Sequence, residues 1–501
     1  MSISIESRST AVVSRAPGLV ALCAGAGIYV FFLVHGNYLL QDSDTYWHIK
    51  IGQWIIDHRA MPYSDVYSLT RLGEPWISSS WLAEVLYAAA YGWLDWGGPV
   101  ILASLALGAT VAIFIYLLSA NFDPARAIVL AMLALLMSAH HFIARPHILA
   151  MPVMVAFVGG LMAAADRRSS PSWLLLPLIP LWTSLHGGFV LGLALIGAIG
   201  LEALWSADAE RRIALAARWA LFGVAALVAS CATPYGWYTP LGAASILGLG
   251  ELLSVITEWQ AVNFGTFGFF EGALLGLIGL AFYRGFVLSP PRIMLLLGLI
   301  WMALTHVRNI EIFAFLAPLV VAKPFAEQSN PGGAAILPSE VRLNPYITLV
   351  AALTIAVAGW VSTSSYLAHH HYAFARGHTP AAAVDILEQR QVKRVFNQPE
   401  YGGYMITRGM RPFIDGRAEL YGEKFVMKYF HAIEGRRVDD LIQMLDDYQI
   451  EATLLFVKTP ASQILDHIQG WKRIYADDLV VIHVREGGPQ ANATAAPDVP
   501  R

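Results

Sequence analysis

Two aspartates, Asp42 and Asp44, stand two positions apart in "QDSDTYWHIK", directly behind a long apolar run. Carboxylates at that spacing can hold a divalent cation, magnesium or manganese, through hard oxygen donors. They can equally supply a general base that strips a proton from an acceptor hydroxyl. The letters "DSDT" also suit a plain helix start, in which a short polar side chain caps the first turn. His48 lies one helical turn past Asp44 and is a candidate helper for the base. Trp47, Trp76 and Trp81 offer flat apolar walls of the kind that suit sugar rings.

Other ionisable residues sit at the ends of apolar segments. Arg145 and His147 fall in "RPH", His186 in "LHGG", Glu258 in "ITEWQAVNF", and His306 and Arg308 in "THVRN", with His140 and His141 nearby. Charged groups near membrane depth are costly and usually face a functional cavity. Arginine's planar fork suits phosphate. Taken singly, each long side chain could snorkel to the lipid headgroups. Taken together, they describe one cavity: Asp42 and Asp44 face Arg145 and Arg308, and His48, Trp47, His147, His186 and Glu258 complete a substrate-binding lining.

The elements that must position these residues are membrane helices. The chain has 501 residues, 56% of them hydrophobic and only 14% charged, and its mean hydropathy is +0.53. A soluble protein carries about 25% charged residues, so this composition excludes an ordinary globule in water. Net charge is −3, with no basic tract, so nucleic acid has no electrostatic footprint here. The two cysteines, Cys23 and Cys231, lie in separate apolar runs and give neither a metal spacing nor a disulfide.

Hydropathy places about eleven spans, near 17–37, 97–119, 126–143, 147–165, 172–187, 188–205, 213–232, 267–283, 292–307, 308–322 and 346–366. The first is expected to be an uncleaved span behind Arg8 and Arg15 rather than a secretory leader. With the N-terminus inside, the inner loops collect Arg126, Arg167, Arg168, Arg211, Arg212, Arg218, Arg284, Arg292, Lys323 and Arg342, as the positive-inside rule requires. Residues 38–96 then form a long extracytoplasmic loop. Within it, "TYWHIKIGQWIIDH" and "SWLAEVLYAAAYGWL" read as helices lying in the headgroup layer.

Residues 323–345 read as a polar cytoplasmic linker, and 487–501 as a disordered tail. Between them, 367–486 read as a small extracytoplasmic α/β domain that follows the transmembrane domain of residues 1–366. Its expected elements are helices at "TPAAAVDILEQRQ" and "VDDLIQMLDDYQI", strands at "VKRVFN", "YGGYMITR", "PFIDGR" and "EATLLFVK", and a final hairpin, "WKRIYADDLVVIHVRE". The Asp415–Gly416–Arg417 turn in "FIDGR" reads as an internal acid–base pair at a strand end or as a binding turn, in a domain serving acceptor recognition or partner docking. Asp65 and Glu84 read as structural acids.

A first span, an acidic D-x-D start to a long outer loop with interfacial helices, many further spans and an outer soluble domain together resemble the GT-C fold. These are glycosyltransferases using lipid-linked sugars, such as protein mannosyltransferases and aminoarabinose transferases. The likeness is carried by "DSDTYWHIKIGQWIIDHRAMPYSDVYSLTRLGEPWISSSWLAEVLY" and by "FIDGRAELYG", and elsewhere by topology. The D-x-D here separates its acids by Ser43, whereas the mannosyltransferase form has them adjacent. The resemblance implies a mostly α polytopic protein of the bacterial inner membrane and a polyprenyl-phosphate sugar donor. It also implies a first-loop Asp, Asp44 or Asp42, as base or metal ligand. Arg308 and Arg145 meet the donor phosphate by position and charge, and the acceptor is a glycan, lipid or protein. A flippase or a non-catalytic scaffold for the same glycans is the competing class; midplane charges or paired broken helices would mark transport.

Overall fold

The computed structural model describes residues 17–246, 250, 256–329 and 345–487. Arg8 and Arg15, most of the expected linker and the tail beyond Gly487 lie outside them. The chain is a mostly helical polytopic membrane protein with a small C-terminal sheet. Helix α1 (Pro17–Val34) enters the bundle, and α2 (Asp44–His58) and α3 (Trp81–Leu94) follow within the first loop. Next come α4 (Gly97–Leu118), α5 (Pro124–Ser138), α6 (Pro146–Asp166), α7 (Leu178–Leu185), α8 (Phe189–Trp205), α9 (Ala209–Ser230) and α10 (Tyr238–Ile246). The bundle closes with α11 (Phe269–Arg284), α12 (Pro290–Thr305), α13 (Ile310–Ser329) and α14 (Pro345–Leu367).

Each of the expected spans is helical. Among the described residues, five helices are long and apolar enough to cross a bilayer: Gly97–Leu118, Pro124–His141, Pro146–Asp166, Ala209–Ser230 and Val307–Ser329. Four shorter apolar helices, Gly18–Val34, Trp173–Leu185, Phe189–Trp205 and Pro290–Thr305, pack among them. α1 lies hard against α4 because Gly25 and Gly108 bring the two backbones together; a Cβ on Gly108 would stand 2.7 Å from the Gly25 carbonyl oxygen. Small residues at such crossings are what membrane packing favours.

The bundle has two polar ends. At one, Arg292 at the start of α12 donates to Glu202 of α8 (2.7 Å) and to the Val320 carbonyl of α13 (2.9 Å), and it pairs with Asp166 at the end of α6. Lys323 adds a bond to the Asp166 carbonyl at 2.5 Å. Each charge of this cluster has a partner, as buried charge requires. The opposite end carries the first loop and the C-terminal residues.

The helices of the first loop form where expected. α2 is enclosed between α3 and a C-terminal helix, with Tyr46, Trp47, Ile49, Ile51 and Ile55 buried. α3 keeps Leu86, Trp93 and Leu94 exposed, the face suited to headgroups. Trp76, expected as a sugar wall, is buried instead beneath Arg417, whose guanidinium carbon lies 5.1 Å from its ring centre.

In the C-terminal region, α15 (Ala381–Gln389) leads into β1 (Val395–Asn397). Helices α16 (Pro399–Thr407), α17 (Ala418–Tyr421), α18 (Glu423–Ile433) and α19 (Val438–Asp447) follow. Then come β2 (Ala452–Phe456), α20 (Pro460–Leu465), β3 (Trp471–Ala476) and β4 (Val480–Arg485). The sheet runs β1-β2-β4-β3. β1 and β2 are parallel, with Phe396 opposite Thr453, and β4 pairs antiparallel with both neighbours, as the expected hairpin demands.

Two expected strands are not strands. "YGGYMITR" lies in helix α16, begun by Pro399 at its first turn and followed by Gly409 at φ +74°. The proline-first, glycine-last punctuation outweighs the aromatic and β-branched letters between them. "PFIDGR" is a buried bend that makes one isolated bridge, Val395 to Pro412, because its polar groups bond to Asn397 and to each other rather than along a ladder.

Candidate active site

The aspartate pair begins α2. Asp42 Oδ1 accepts the Asp44 backbone N–H at 2.8 Å, so the capping role and the chemical one share a residue. The next residue, Thr45, donates its hydroxyl to the Ala144 carbonyl at 3.1 Å. Tyr87 of α3 donates to the Arg145 carbonyl at 3.1 Å. These two bonds hold the extended segment before α6 against the first loop, and Pro146 fixes where α6 begins. Arg145 is thereby aimed at the aspartates.

Its guanidinium gathers three carboxylates. Nη2 donates to Asp44 Oδ2 at 2.5 Å, and Nη1 to Glu258 Oε1 at 2.6 Å and to Asp42 Oδ2 at 3.4 Å. The other oxygen of Glu258 faces Arg308 Nη1 at 3.8 Å. Arg308 lies in the turn between α12 and α13 and stacks over Trp259, 4.5 Å from the ring centre. Backbone bonds from Val262 to Leu304 and from Val307 to Gln260, both 3.0 Å, pin the Glu258 segment to that turn. So four distant stretches of chain meet at one point, and the two arginines share one glutamate.

Histidines flank the cluster. His147 and His186 have ring centres 6.2 Å apart, and His147 Nε2 donates to the His141 carbonyl at 2.9 Å. Glu311, at the start of α13, has an oxygen 3.9 Å from His147 Nε2 that is buried without a hydrogen-bond partner. His48 turns toward the first loop, hydrogen-bonded to Glu84 at 3.0 Å; Glu84 in turn accepts from Ser78. Trp47 lies tilted against His48, with ring centres 3.6 Å apart. Its indole N–H is buried and faces the Asp44 carboxylate without reaching hydrogen-bond geometry.

The electrostatics follow from burial against pairing. Burial pushes the Asp44 carboxyl up to about 7 despite Arg145, and the neighbouring Asp42 adds to the rise. Glu258, beside Arg145 and more open, is held well below the usual carboxylate range. Burial alone would lower the Arg145 pKa, but the three carboxylates hold it well above its ordinary value. Burial raises Glu84 to about 8 and lowers His48, so their contact is a neutral hydrogen bond rather than an ion pair.

A divalent cation fits this arrangement poorly. The oxygens that would bind it are turned onto one guanidinium, and among the described residues no group of three or more His, Cys, Asp or Glu is placed to hold a metal.

Sequence reasoning brought Asp42, Asp44, Arg145, Arg308, Glu258, His147 and His186 to one end of the bundle, and the structure assembles them there. It missed Glu311, although an acid inside the apolar run "NIEIFAFLAP" was a readable signal. It also missed the C-terminal wall of the site. Gly416 of "FIDGR" sits directly on the Asp44 carboxylate, and Gly403 sits on the Ser43 carbonyl. His378 and Glu400, each with a buried polar atom lacking a partner, feel the charge of Asp42.

No family model matches the chain, and no curated protein matches it. Among solved structures it is similar to the archaeal oligosaccharyltransferase AglB from Archaeoglobus fulgidus, in complex with an inhibitory peptide and a dolichol-phosphate. The superposition covers 88% of this chain and 69% of that one, at 12% identity and a TM-score of 0.49. A likeness this loose carries neither a residue role nor an activity.

Proposed function

We propose that the protein is a membrane glycosyltransferase that moves a sugar from a polyprenyl-phosphate-linked donor to an acceptor hydroxyl at the extracytoplasmic face. The observation that carries this reading is the convergence of Asp42, Asp44, Arg145, Glu258 and Arg308. A buried base standing beside anion-binding guanidiniums at the end of an apolar bundle is what such a transfer needs.

Asp44 is the base. It is more enclosed than Asp42, has no capping duty, and its raised pKa suits proton transfer near neutrality. In the step, the acceptor oxygen bonds to the anomeric carbon, and its proton passes to an Asp44 oxygen. The carbon–oxygen bond to the donor phosphate breaks with its electron pair, and the configuration inverts. Arg308, held by Glu258 only at 3.8 Å and preorganised on Trp259, takes the charge that develops on the phosphate. Arg145 joins it as it gives up Glu258. His147 and His186 line the same side. The donor's tail lies among the apolar helices, and residues 38–96 and 367–486 face the acceptor on the extracytoplasmic side. The step as drawn uses no metal.

The test is transfer from a polyprenyl-phosphate sugar in liposomes, with mass spectrometry of lipid extracts from a deletion strain to identify the donor. Asp44→Asn is expected to lower the rate by roughly 10²–10⁴. Full glycan output from an Asp42→Asn/Asp44→Asn double variant would rule out the enzyme and favour a flippase or scaffold.

A further inference from the structure

The C-terminal residues make their closest approach to the proposed machinery at a single backbone position. A Cβ built on Gly416 would lie 2.0 Å from Asp44 Oδ1 and 2.7 Å from its Cγ. Real Cβ atoms do not come that near, so the carboxylate of any larger residue's neighbour would have to move. Gly416 is not among the residues with positive φ. Glycine is therefore not required there by backbone conformation; it is required by Asp44.

The turn that carries Gly416 is held with unusual firmness. Arg417 is fully buried and donates to Asp415 Oδ2 at 2.6 Å and to Asp65 Oδ1 of the first loop at 2.7 Å. Tyr421 donates to Asp415 at 2.8 Å, and Asp65 is itself bonded to the Ser68 amide at 2.9 Å. Trp76 donates to Glu419 at 3.0 Å, and Tyr46 of α2 bonds to Thr379 at 2.8 Å. These contacts join the loop that carries Asp44 to the C-terminal turn that covers it. The cover is rigid on one side, and Arg145 pulls from the other.

We propose that Gly416 is a positioning residue. The C-terminal turn, locked to the first loop through Arg417, sets the Asp44 carboxylate against Arg145 and thereby fixes where the base points. This rests on the sugar-transfer reading for its consequence but not for its geometry.

The variant is Gly416→Ala, with Gly402→Ala as the comparison. A Cβ at Gly402 would meet the Ile414 carbonyl and the Asp415 Cβ, both at 2.6 Å, so that change strains the backbone and should lower thermal stability. At Gly416 the obstacle is a side-chain tip, so the fold should survive with a melting temperature near that of the wild type. Its turnover should fall about 10²-fold, the scale of a roughly 1 Å misplacement, with donor KM changed less than about twofold. Its pH–rate profile should move as the carboxylate leaves its enclosure. Activity kept within about twofold, or lost only in step with melting as for Gly402→Ala, overturns the proposal. A second readout is independent of catalysis: cryo-electron microscopy of wild type and Gly416→Ala should show the 2.5 Å Asp44–Arg145 pair broken in the variant. An unchanged pair overturns the positioning role even if no transfer is ever detected. A broken pair in a protein inactive as wild type sinks only the sugar-transfer reading.

Discussion

At the scale of the residue, the site's character comes from a surplus of carboxylates over guanidiniums. Asp42, Asp44 and Glu258 answer to two arginines; burial raises the pKa of Asp44, the most enclosed of the three, and the neighbouring Asp42 and Glu258 add to the rise. The sign is fixed: a base must be ionised, so transfer should rise with pH through about 7 and level off above it. A pH–rate profile in liposomes checks this, and a rate flat from about pH 5 to 8 would leave Asp44 without its role. Arg308→Lys keeps the charge but loses the fork and the stacking on Trp259. Its transfer rate should fall by roughly 10²–10³, the usual effect of removing one positioned donor, with little change in melting temperature. The charged residues at helix ends were legible in the sequence because ionisable groups beside apolar runs are rare. Which aspartate is the more enclosed was not, since enclosure depends on a turn more than three hundred positions away in the chain.

At the scale of the element, the first loop and the "FIDGR" bend act as one part. Arg417 is their joint, with no exposed side-chain surface and carboxylates from both. Removing one partner of such a buried set leaves unpaired charge behind, at a cost of about 3–5 kcal/mol. Arg417→Ala is therefore expected to lower thermal stability in detergent by that order, and Asp65→Asn by less, because the Asp415 pair remains. Equal, negligible shifts for both variants would mean the joint is ornamental. The sequence showed that an Asp–Arg pair existed in this bend but not that Asp65 would join it, because nothing in local spacing reports a partner from the first loop. The two misread strands were lost to different causes. "YGGYMITR" and "PFIDGR" have strand-like letters, yet Pro399 and Gly409 make the first a helix, and the Asn397 side chain, reaching over from β1, bonds the second into a bend.

At the scale of the whole molecule, the two polar ends do different work. The Arg292 cluster is fully paired and clamps α6, α8, α12 and α13. Arg292→Ala should melt at a lower temperature yet transfer sugar at an unchanged rate per folded molecule. A loss of specific activity without loss of folded protein would assign that end a part in function. The positions of the apolar helices were readable from hydropathy alone, because a bilayer imposes length rules on every segment. The seating of the C-terminal region was not. Tyr46, Tyr401, Leu454 and Ile482 belong to the same continuous core as the bundle, so there is no tether between the two to be seen in the letters. β4, the last strand in chain order among the described residues, lies inside the sheet between β2 and β3. Asp44 thus leaves the ribosome well before the strand that completes the sheet behind its cover, a delay on the order of tens of seconds. A chain truncated ahead of β4 would carry the acid without that cover, and under the sugar-transfer reading it is expected to be inactive.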